Sequence, residues 1–455
     1  MKKIHFIAIG GAAMHNLALC MADIPWYKVT GSDDEIFEPS RSRLAAKGLL
    51  PDKMGWYPER ITPDLEAVIL GMHARGDNPE LLRAKELNLP IYSFPEYLYE
   101  RTHTKTRIVV GGSHGKTTTT AMILHVLKQV GLECDYMVGA QIEGFDNMVR
   151  LSASARVAIF EGDEYLTSPI DPRPKFHLYH PHIAILTGIA WDHINVFPTF
   201  DIYVEQFRTF TKLIEGQGRL IYCADSPELV AIAQDLRHDI VAFPYSTPDY
   251  EIRDGVTYIT CRDQQIPLQI FGRHNLQNMN AARIACGQLG IDDVRFYNAM
   301  RTFRGASNRL EKVAERSNAV AYKDFAHSPS KLRATVEAVR AQYPDRRLVA
   351  CMELHTFSSL TEAFLPQYHN TMEKADVAYV YFNPKVIEHK QLKPITADEV
   401  ARAFGTPNIH VFTDSAALQD TLRSLNYDNT ALLLMTSGNF DGVDLRSFAT
   451  ELLNN

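Results

Sequence analysis

The 455-residue sequence lacks the features that mark secreted, zinc-binding or membrane-spanning proteins. Its six cysteines are scattered without a Cys-x-x-Cys pair, which predicts free thiols in a reducing compartment and disfavours a zinc site. No apolar run approaches the ~20 residues of a membrane span, and the N-terminal residues enter a strand at once, which leaves no room for a signal peptide. We therefore expect a cytoplasmic protein without membrane attachment.

An excess of basic charge is also missing. The formal net charge is −7, and acidic and basic residues are mixed throughout, whereas general nucleic-acid binding needs a basic stripe. An apolar fraction of 45% with 22% charged residues is typical of a globular protein. The length exceeds what one hydrophobic core supports, so we expect roughly two to four domains.

The most informative stretch runs from Val109 to Thr120. A β-branched run leads into Gly111-Gly112, and apolar positions of a helix follow, which predicts a strand, a glycine loop and a helix that bind phosphate groups. Lys116 would reach the β- and γ-phosphates, and the Thr117 hydroxyl would bind Mg²⁺. Counted from Gly111, the loop is one residue shorter than the G-x-x-x-x-G-K-[ST] consensus; the alternative is a glycine turn with an exposed lysine.

The first hundred residues predict a small parallel α/β domain. A strand at 4–8 ends in Gly10-Gly11, and a helix follows to about Ala22. Asp33 comes some twenty residues after the glycines, where a βαβ fold places an acidic side chain near a ribose. The G-x-G-x-x-G fingerprint is not met, so nucleotide-sugar or dinucleotide binding competes with a purely structural turn.

Two apolar strands in the middle of the chain each end in polar groups. The strand at 158–160 runs into Glu161-Gly162-Asp163-Glu164, and the strand at 183–187 leads to Asp192-His193. Ligands of open α/β sheets bind at the carboxyl ends of strands, and Mg²⁺ prefers oxygen ligands. Glu161 and His193 are therefore candidate metal ligands. The alternative for Glu161 and Glu164 is a solvated loop end, and the alternative for His193 is a structural histidine.

Asn275 and Asn278 lie one turn apart at the start of a predicted helix. They could cap the helix or pair with the edge of an adenine. Beyond residue 311 the strand and helix periodicity restarts, which predicts a further α/β domain. Its predicted strands are 319–323, 347–352, 376–382, 409–412 and 431–435, and its predicted helices are 329–342, 360–372, 397–404, 415–425 and 443–453.

With these motifs in this order, the sequence resembles the Mur ligases of peptidoglycan synthesis along essentially its whole length. The phosphate loop is close to that family's Gly-Thr-His-Gly-Lys-Thr-Thr, residues 161–164 are similar to its Glu-Ala-Asp-Glu, and residues 272–278 to its Gly-x-His-Asn-x-x-Asn. The resemblance implies a three-domain α/β architecture. It comprises an N-terminal Rossmann-like UDP-binding domain (1–104), a central P-loop ATPase domain (105–311), and a C-terminal Rossmann-like domain (312–455) that closes over ATP and binds the amine substrate.

The resemblance also implies an ATP-dependent ligase with Mg²⁺ and a role for each matching residue. The nucleotide would be bound by Gly112, Ser113, His114, Gly115, Lys116, Thr117, Thr118, Asn275, Asn278, Arg309 and Asp324. The UDP-sugar would be bound by Gly10, Gly11, Ala12, Ala13, Met14, Ser32, Asp33, His73 and Lys175. Thr117, Glu161 and His193 would bind metal, and the catalytic residues would be Lys116, Glu161, His193, Asp324 and His327, the last as a hypothetical acceptor of the amine proton.

Within the family, two acceptor substrates compete. We favour a ligase that joins UDP-N-acetylmuramate to L-alanyl-γ-D-glutamyl-meso-diaminopimelate, because residues 171–176 resemble an insert of the tripeptide ligases. The alternative is the ligase that adds L-alanine, although residues 323–329 and 354–359 depart from its pattern where the amine should bind. From another class, the chain could be a nucleotide-dependent switch without ligase chemistry.

Overall fold

The computed structural model describes residues 1–191 and 196–454, which divide into two compact units. The first unit comprises residues 1–191, 196–246 and 281–292, and the described residues of the second are 247–280 and 293–454. His193, a predicted metal ligand and catalytic residue, lies outside the described residues.

The N-terminal part of the first unit is a four-stranded parallel sheet in the order β2-β1-β3-β4. Its first strand is apolar and buried from Ile4 onwards, and α1 begins directly after Gly10 and Gly11. The elements are β1 (Lys2–Ile7), α1 (Ala12–Ala22), β2 (Tyr27–Ser32), α2 (Ser40–Ala46), β3 (Leu65–Leu70), α3 (Pro79–Glu86), β4 (Ile91–Ser93) and α4 (Phe94–Thr102).

A seven-stranded sheet follows in the same unit, in the order β13-β12-β11-β5-β8-β6-β7. Its elements are β5 (Thr106–Gly111), α5 (Lys116–Val130), β6 (Cys134–Met137), β7 (Val149–Arg150), β8 (Val157–Glu161), β11 (Ile183–Leu186), α6 (Phe200–Lys212), β12 (Arg219–Cys223), α7 (Pro227–Gln234) and β13 (Val241–Tyr245). A separate hairpin pairs β9 (Leu166–Ser168) with β10 (Asp171–Pro174). Because β5 is parallel to both β8 and β11, their carboxyl ends meet at one edge, with Val110 opposite Glu161.

The second unit contains a three-stranded antiparallel sheet and a six-stranded sheet in the order β17-β18-β22-β19-β20-β21. The strands are β14 (Tyr250–Arg253), β15 (Val256–Cys261), β16 (Gln264–Leu268), β17 (Glu311–Arg316), β18 (Ala319–Asp324), β19 (Arg347–Leu354), β20 (Val377–Phe382), β21 (Ile409–Phe412) and β22 (Thr430–Met435). The helices, the first of which continues into the first unit, are α8 (Arg273–Gln288), α9 (Asp293–Met300), α10 (Pro329–Gln342), α11 (Pro384–His389), α12 (Ala397–Phe404), α13 (Ser415–Arg423) and α14 (Leu445–Asn454).

The predicted α/β fold class is confirmed, but the predicted helix at 360–372 is wrong. Two short 3-10 turns, Ser358–Leu360 and Leu365–Tyr368, occupy this stretch. Pro366 lacks the N–H that would continue an α-helix through it, and its ring clashes with the preceding turn. The antiparallel strands β14 to β16 and the edge strand β17 were not predicted, because their polar alternation gives a weak signal.

All six cysteines are buried, and none is joined in a disulfide. Within residues 1–191 and 196–454, no helix combines the length and apolar composition needed to cross a membrane.

Candidate functional site

The loop between β5 and α5 has the backbone geometry of a phosphate cradle. Gly112 and Gly115 adopt φ values of +129° and +80°, a region that favours glycine. The Ser113 N–H donates to the Gly188 carbonyl at 3.0 Å, and a Cβ on Gly112 would lie 2.9 Å from the Thr187 nitrogen. The first N–H groups of α5 have no acceptor within their own helix, so this loop fits an anion.

Lys116 lies at the start of α5 and points back across the loop. Its ammonium donates to the Gly112 carbonyl at 2.8 Å and to Oε2 of Glu164 at 2.7 Å. Burial by itself would lower the pKa of Lys116, but the carboxylates of Glu164 and Asp163 outweigh it and raise the pKa. The lysine is therefore held in its cationic form beside the loop, as phosphate binding requires.

The structure brings Thr117 and Glu161 together, as the sequence predicts. The Thr117 hydroxyl donates to Oε1 of Glu161 at 2.7 Å, and the Gly139 N–H donates to Oε2 at 2.6 Å. Burial raises the pKa of the Glu161 carboxyl, and the nearby Asp163 adds to that effect. A hydroxyl and a carboxylate are oxygen ligands that suit Mg²⁺, although no group of three or more His, Cys, Asp or Glu in the described ranges could hold a metal ion.

A buried hydrogen-bond network of Ser113, Tyr203 and Glu164 supports the phosphate loop. The Tyr203 hydroxyl donates to Oε1 of Glu164 at 3.1 Å, so the Ser113 hydroxyl, 2.8 Å away, donates to the tyrosine oxygen. The Ser113 side chain therefore holds the loop in place, and its predicted contact with nucleotide stays a prediction. Glu164 was a detectable candidate, three residues after Glu161 in one acidic motif, but Tyr203 carried no signal in the sequence.

The remaining predicted loop residues are His114 and Thr118. The His114 carbonyl accepts the Thr187 hydroxyl, and Thr118 is buried in the first turn of α5. Both belong to the loop and the first turn of α5, and their contact with nucleotide stays a prediction.

Most of the predicted UDP-sugar residues gather around the Gly10-Gly11 turn. The Gly10 N–H donates to Oδ2 of Asp33 at 2.7 Å, and the Ser32 carbonyl accepts the Ala8 N–H at 2.9 Å. Burial raises the pKa of Asp33 to about 6. The Asp33 carboxylate therefore stabilises the turn, and its contact with a ribose stays a prediction.

Two further predicted UDP-sugar residues differ in their surroundings. His73 lies close to the turn, because a Cβ on Gly11 would be 3.7 Å from its ring. Lys175 lies beside the acidic motif, with its ammonium 3.8 Å from Oδ2 of Asp163 and 4.1 Å from the centre of the Tyr165 ring. Burial lowers the pKa of Lys175. Ala12, Ala13 and Met14 form the first turn of α1.

In the second unit, Arg309, Asp324 and His327 gather around Phe325. The Arg309 guanidinium lies 4.7 Å from the centre of the Phe325 ring, which lies 5.1 Å from the His327 ring. Oδ2 of Asp324 accepts the Leu310 N–H at 2.5 Å. Burial raises the pKa of Asp324 to about 6, although the Arg309 charge opposes that shift.

The predicted adenine contacts, Asn275 and Asn278, are both buried near the start of α8. Nδ2 of Asn275 donates to the Phe271 carbonyl one turn earlier, at 2.9 Å. This nitrogen is therefore engaged within the chain, and adenine recognition by the pair stays a prediction.

The strand, glycine loop and helix, with Lys116 and Thr117 in place, define the class of P-loop nucleotide-binding proteins. Comparison with protein families extends this to the whole chain. "Mur ligase family, catalytic domain" matches residues 3–106, "Mur ligase middle domain" residues 110–286, and "Mur ligase, glutamate ligase domain" residues 308–438. The chain belongs to the Mur ligase family. It is an ATP-dependent ligase that forms carbon–nitrogen bonds, which confirms the predicted enzyme class.

Individual relatives agree with this assignment. The UDP-N-acetylmuramate–L-alanine ligase of Limosilactobacillus reuteri is 30% identical over 454 residues, covering 96% of each chain. The UDP-N-acetylmuramate-alanine ligase of Thermotoga maritima has the same fold, with a TM-score of 0.71 at 22% identity over 97% of each chain. The UDP-N-acetylmuramate:L-alanyl-gamma-D-glutamyl-meso-diaminopimelate ligase of Neisseria meningitides is 25% identical, with a TM-score of 0.59 over 67% of this chain and 98% of its own.

Proposed function

We propose that this chain uses ATP to join the lactyl carboxylate of UDP-N-acetylmuramate to an amine. The observation that carries this proposal is the constellation of Lys116, Thr117, Glu161 and Glu164 at one edge of the central sheet. It places a cation and metal-binding oxygens beside a loop shaped for phosphates. The names of the relatives supply the UDP-sugar as the acid substrate.

The chemistry has two steps. A carboxylate oxygen attacks the γ-phosphorus of ATP, the bond to ADP breaks, and an acyl phosphate forms. The amine nitrogen then attacks the acyl carbon, the carbon–nitrogen bond forms, inorganic phosphate leaves, and the nitrogen loses a proton. Lys116 neutralises charge on the transferred phosphoryl group and orients it. Thr117 and Glu161 would hold Mg²⁺, which supplies further charge neutralisation when bound.

For the acceptor we propose L-alanyl-γ-D-glutamyl-meso-diaminopimelate. The hairpin of β9 and β10 begins two residues after Glu164, and residues 171–176, which include β10, resemble the insert of the tripeptide ligases. Lys175 directly follows β10, and its ammonium lies 3.8 Å from Oδ2 of Asp163. The departures from the alanine-ligase pattern at 323–329 and 354–359 argue against L-alanine, and the name of the Neisseria enzyme supports the tripeptide.

Free L-alanine is the second candidate acceptor. The curated relatives, 27–31% identical, carry the name of the L-alanine ligase, and they support this alternative better than they support the tripeptide. Both candidates present an L-alanyl amino group, so the same acyl phosphate serves either one.

Both the ligase activity and the choice of acceptor can be tested by measuring phosphate release with UDP-N-acetylmuramate and each acceptor at matched concentrations. We expect release that needs both substrates and a higher kcat/KM with the tripeptide. Equal or higher kcat/KM with L-alanine would establish the second candidate. Nucleotide binding without acceptor-dependent phosphate release would contradict the ligase proposal and favour a nucleotide-dependent switch.

A further inference from the structure

Residues 138–148, here called the linking segment, connect β6 to β7 in the first unit. At its beginning, the Gly139 N–H donates to Oε2 of Glu161 at 2.6 Å. The other oxygen of the same carboxylate accepts the Thr117 hydroxyl. The linking segment therefore helps to position a carboxylate that the proposed function assigns to magnesium.

The other end of the linking segment is tied to α1. Nδ2 of Asn147 donates to the Asn16 carbonyl at 2.9 Å, and the Met148 N–H donates to Oδ1 of Asn16 at 3.4 Å. Arg43 reinforces this connection, because its guanidinium donates to Oδ1 of Asn16 at 2.8 Å and to Oδ1 of Asn147 at 3.3 Å. Asn16 is fully buried, so its side chain is shielded from water, whereas Arg43 and Asn147 are half-buried.

The path continues from Asn16 to the Gly10-Gly11 turn through His15. Nε2 of His15 lies 3.1 Å from Nδ2 of Asn16 and 3.2 Å from the Arg43 guanidinium, both of which are donors. Nε2 must therefore accept, and the proton lies on Nδ1, which donates to the Gly11 carbonyl at 3.0 Å. Burial lowers the pKa of His15, which favours this neutral form.

We propose that Asn16, Arg43 and Asn147 are positioning residues that couple UDP-sugar binding at the Gly10-Gly11 turn to magnesium-nucleotide binding beside Glu161. The inference rests on the proposed function for the identity of the two ligands. A ligand on the turn further restrains α1 and, through these hydrogen bonds, the linking segment. The second ligand then binds a segment with less conformational freedom and therefore loses less conformational entropy on binding.

Calorimetry tests this coupling without catalysis. The affinity for ADP in the presence of Mg²⁺ is measured with and without saturating UDP-N-acetylmuramate, and the reverse titration is then performed. In the unsubstituted chain we expect each ligand to raise the affinity for the other by the same factor, about five-fold or more. Removing Mg²⁺ with EDTA should lower the coupling factor, because the chain of hydrogen bonds from the Gly10-Gly11 turn ends at Glu161, the proposed Mg²⁺ ligand.

Asn147→Ala is the main variant, because Asn147 is only half-buried and its loss disturbs packing less than the loss of Asn16. We expect its coupling factor to fall towards one, while its affinity for Mg²⁺ and ADP alone changes by less than about three-fold. Arg43→Ala should act in the same direction. Glu143→Ala, at an exposed position of the same segment, is the matched control and should keep the full factor.

The possible results separate the two proposals. If the unsubstituted chain binds both ligands without coupling, or if both variants keep its coupling factor, the inference is overturned and the proposed function stands. If both affinities fall equally while the factor persists, the network is merely structural and the inference is likewise overturned. If the unsubstituted chain does not bind UDP-N-acetylmuramate, the proposed function fails first.

Discussion

The ammonium of Lys116 lies 2.7 Å from Oε2 of Glu164, and Oε1 of the same carboxylate accepts the Tyr203 hydroxyl. The side chains of this ion pair are only 12% and 1% exposed, so each charge depends on the other for compensation. The pair directs the lysine towards the phosphate loop and prevents it from extending into solvent. It also makes the lysine important for both folding and activity.

Lys116→Ala should abolish most ATP-dependent turnover. Loss of the cation removes charge neutralisation at the phosphoryl group, for which we expect a decrease in kcat of about 100-fold or more. It also removes the cation that compensates the buried Glu164 carboxylate, at a cost of about 3 kcal/mol in the free energy of unfolding. Phosphate release and denaturant titration measure the two effects.

Lys212→Ala is the control for this variant, since the Lys212 side chain is 62% exposed on α6. Its turnover and stability should match those of the unsubstituted chain. Turnover of Lys116→Ala within a few-fold of normal would refute the phosphate-loop assignment.

Thr117→Val should weaken the apparent affinity of the enzyme for magnesium. The substitution keeps the shape of the side chain but removes the hydroxyl that donates to Glu161, and it leaves that carboxylate with one fewer hydrogen bond. We expect the Mg²⁺ concentration at half-maximal turnover to rise about ten-fold, a value typical for loss of a metal-site partner.

The same substitution at Thr120 serves as the comparison. The Thr120 hydroxyl is buried on α5 and has no hydrogen-bond partner among the residues that the structure describes. Thr120→Val should therefore leave the magnesium titration unchanged and keep or slightly raise the free energy of unfolding. An identical magnesium dependence in both variants would contradict the role assigned to Thr117.

Gly112→Ala should prevent the loop from taking its phosphate-binding form. Its φ of +129° disfavours any side chain, and the new Cβ would lie 2.9 Å from the Thr187 nitrogen. We expect the affinity for ADP with Mg²⁺, measured by calorimetry, to fall at least about ten-fold, since loop amides would be displaced.

Gly131→Ala separates backbone strain from loss of the site. Gly131 ends the same helix at φ +74°, but a Cβ there would meet no atom within 4 Å. The variant should lose about 1 kcal/mol of stability and keep its nucleotide affinity. Equal losses of affinity in both variants would point to damage of α5 in general.

Asp324→Asn should change how stability depends on pH. Burial raises the pKa of Asp324 from its usual 3.8 to about 6, so the folded chain holds this proton over a pH range in which the unfolded chain has released it. The contribution of Asp324 to stability is therefore fully present below about pH 4 and is lost as pH rises through about 6. Asparagine does not titrate, so the variant does not lose stability in this way as pH rises.

Denaturant titration at several pH values measures this difference. The stability of Asp324→Asn relative to the unsubstituted chain should increase between pH 4 and pH 7 by up to about 3 kcal/mol. The comparison cancels the similar contribution of Asp33, whose pKa burial also raises to about 6. A difference that is constant across this range would refute the buried titration.

Several elements were predictable because their signals are local. The β-branched run before Gly111, the glycines and the following apolar helix positions predict the phosphate loop, and the structure has β5 and α5 there. The periodicity after residue 311 predicts β18 to β22, whose bounds agree within a few residues. The helix predicted at 360–372 was wrong. The apolar spacing of this stretch suits a helix, but Pro366 interrupts it.

The hydrogen-bond partners of the site residues were harder to predict from the sequence. Glu161 was a candidate from its position after an apolar strand, but the Gly139 N–H that fixes it belongs to a loop 22 residues earlier. Tyr203 is 39 residues from the Glu164 carboxylate that it supports, and Asn147 is 131 residues from Asn16. No spacing rule connects such residues.

The amino-acid sequence by itself determined the α/β class, the phosphate loop and the family, because each depends on residues that are near neighbours along the chain or on motifs in a set order. Only the tertiary structure decided that β5 lies between β8 and β11, and therefore that Thr117 meets Glu161 and Lys116 meets Glu164. The physical reason is that backbone conformation follows largely from local sequence, whereas the partner of a buried polar group depends on strand order and on packing across the whole unit.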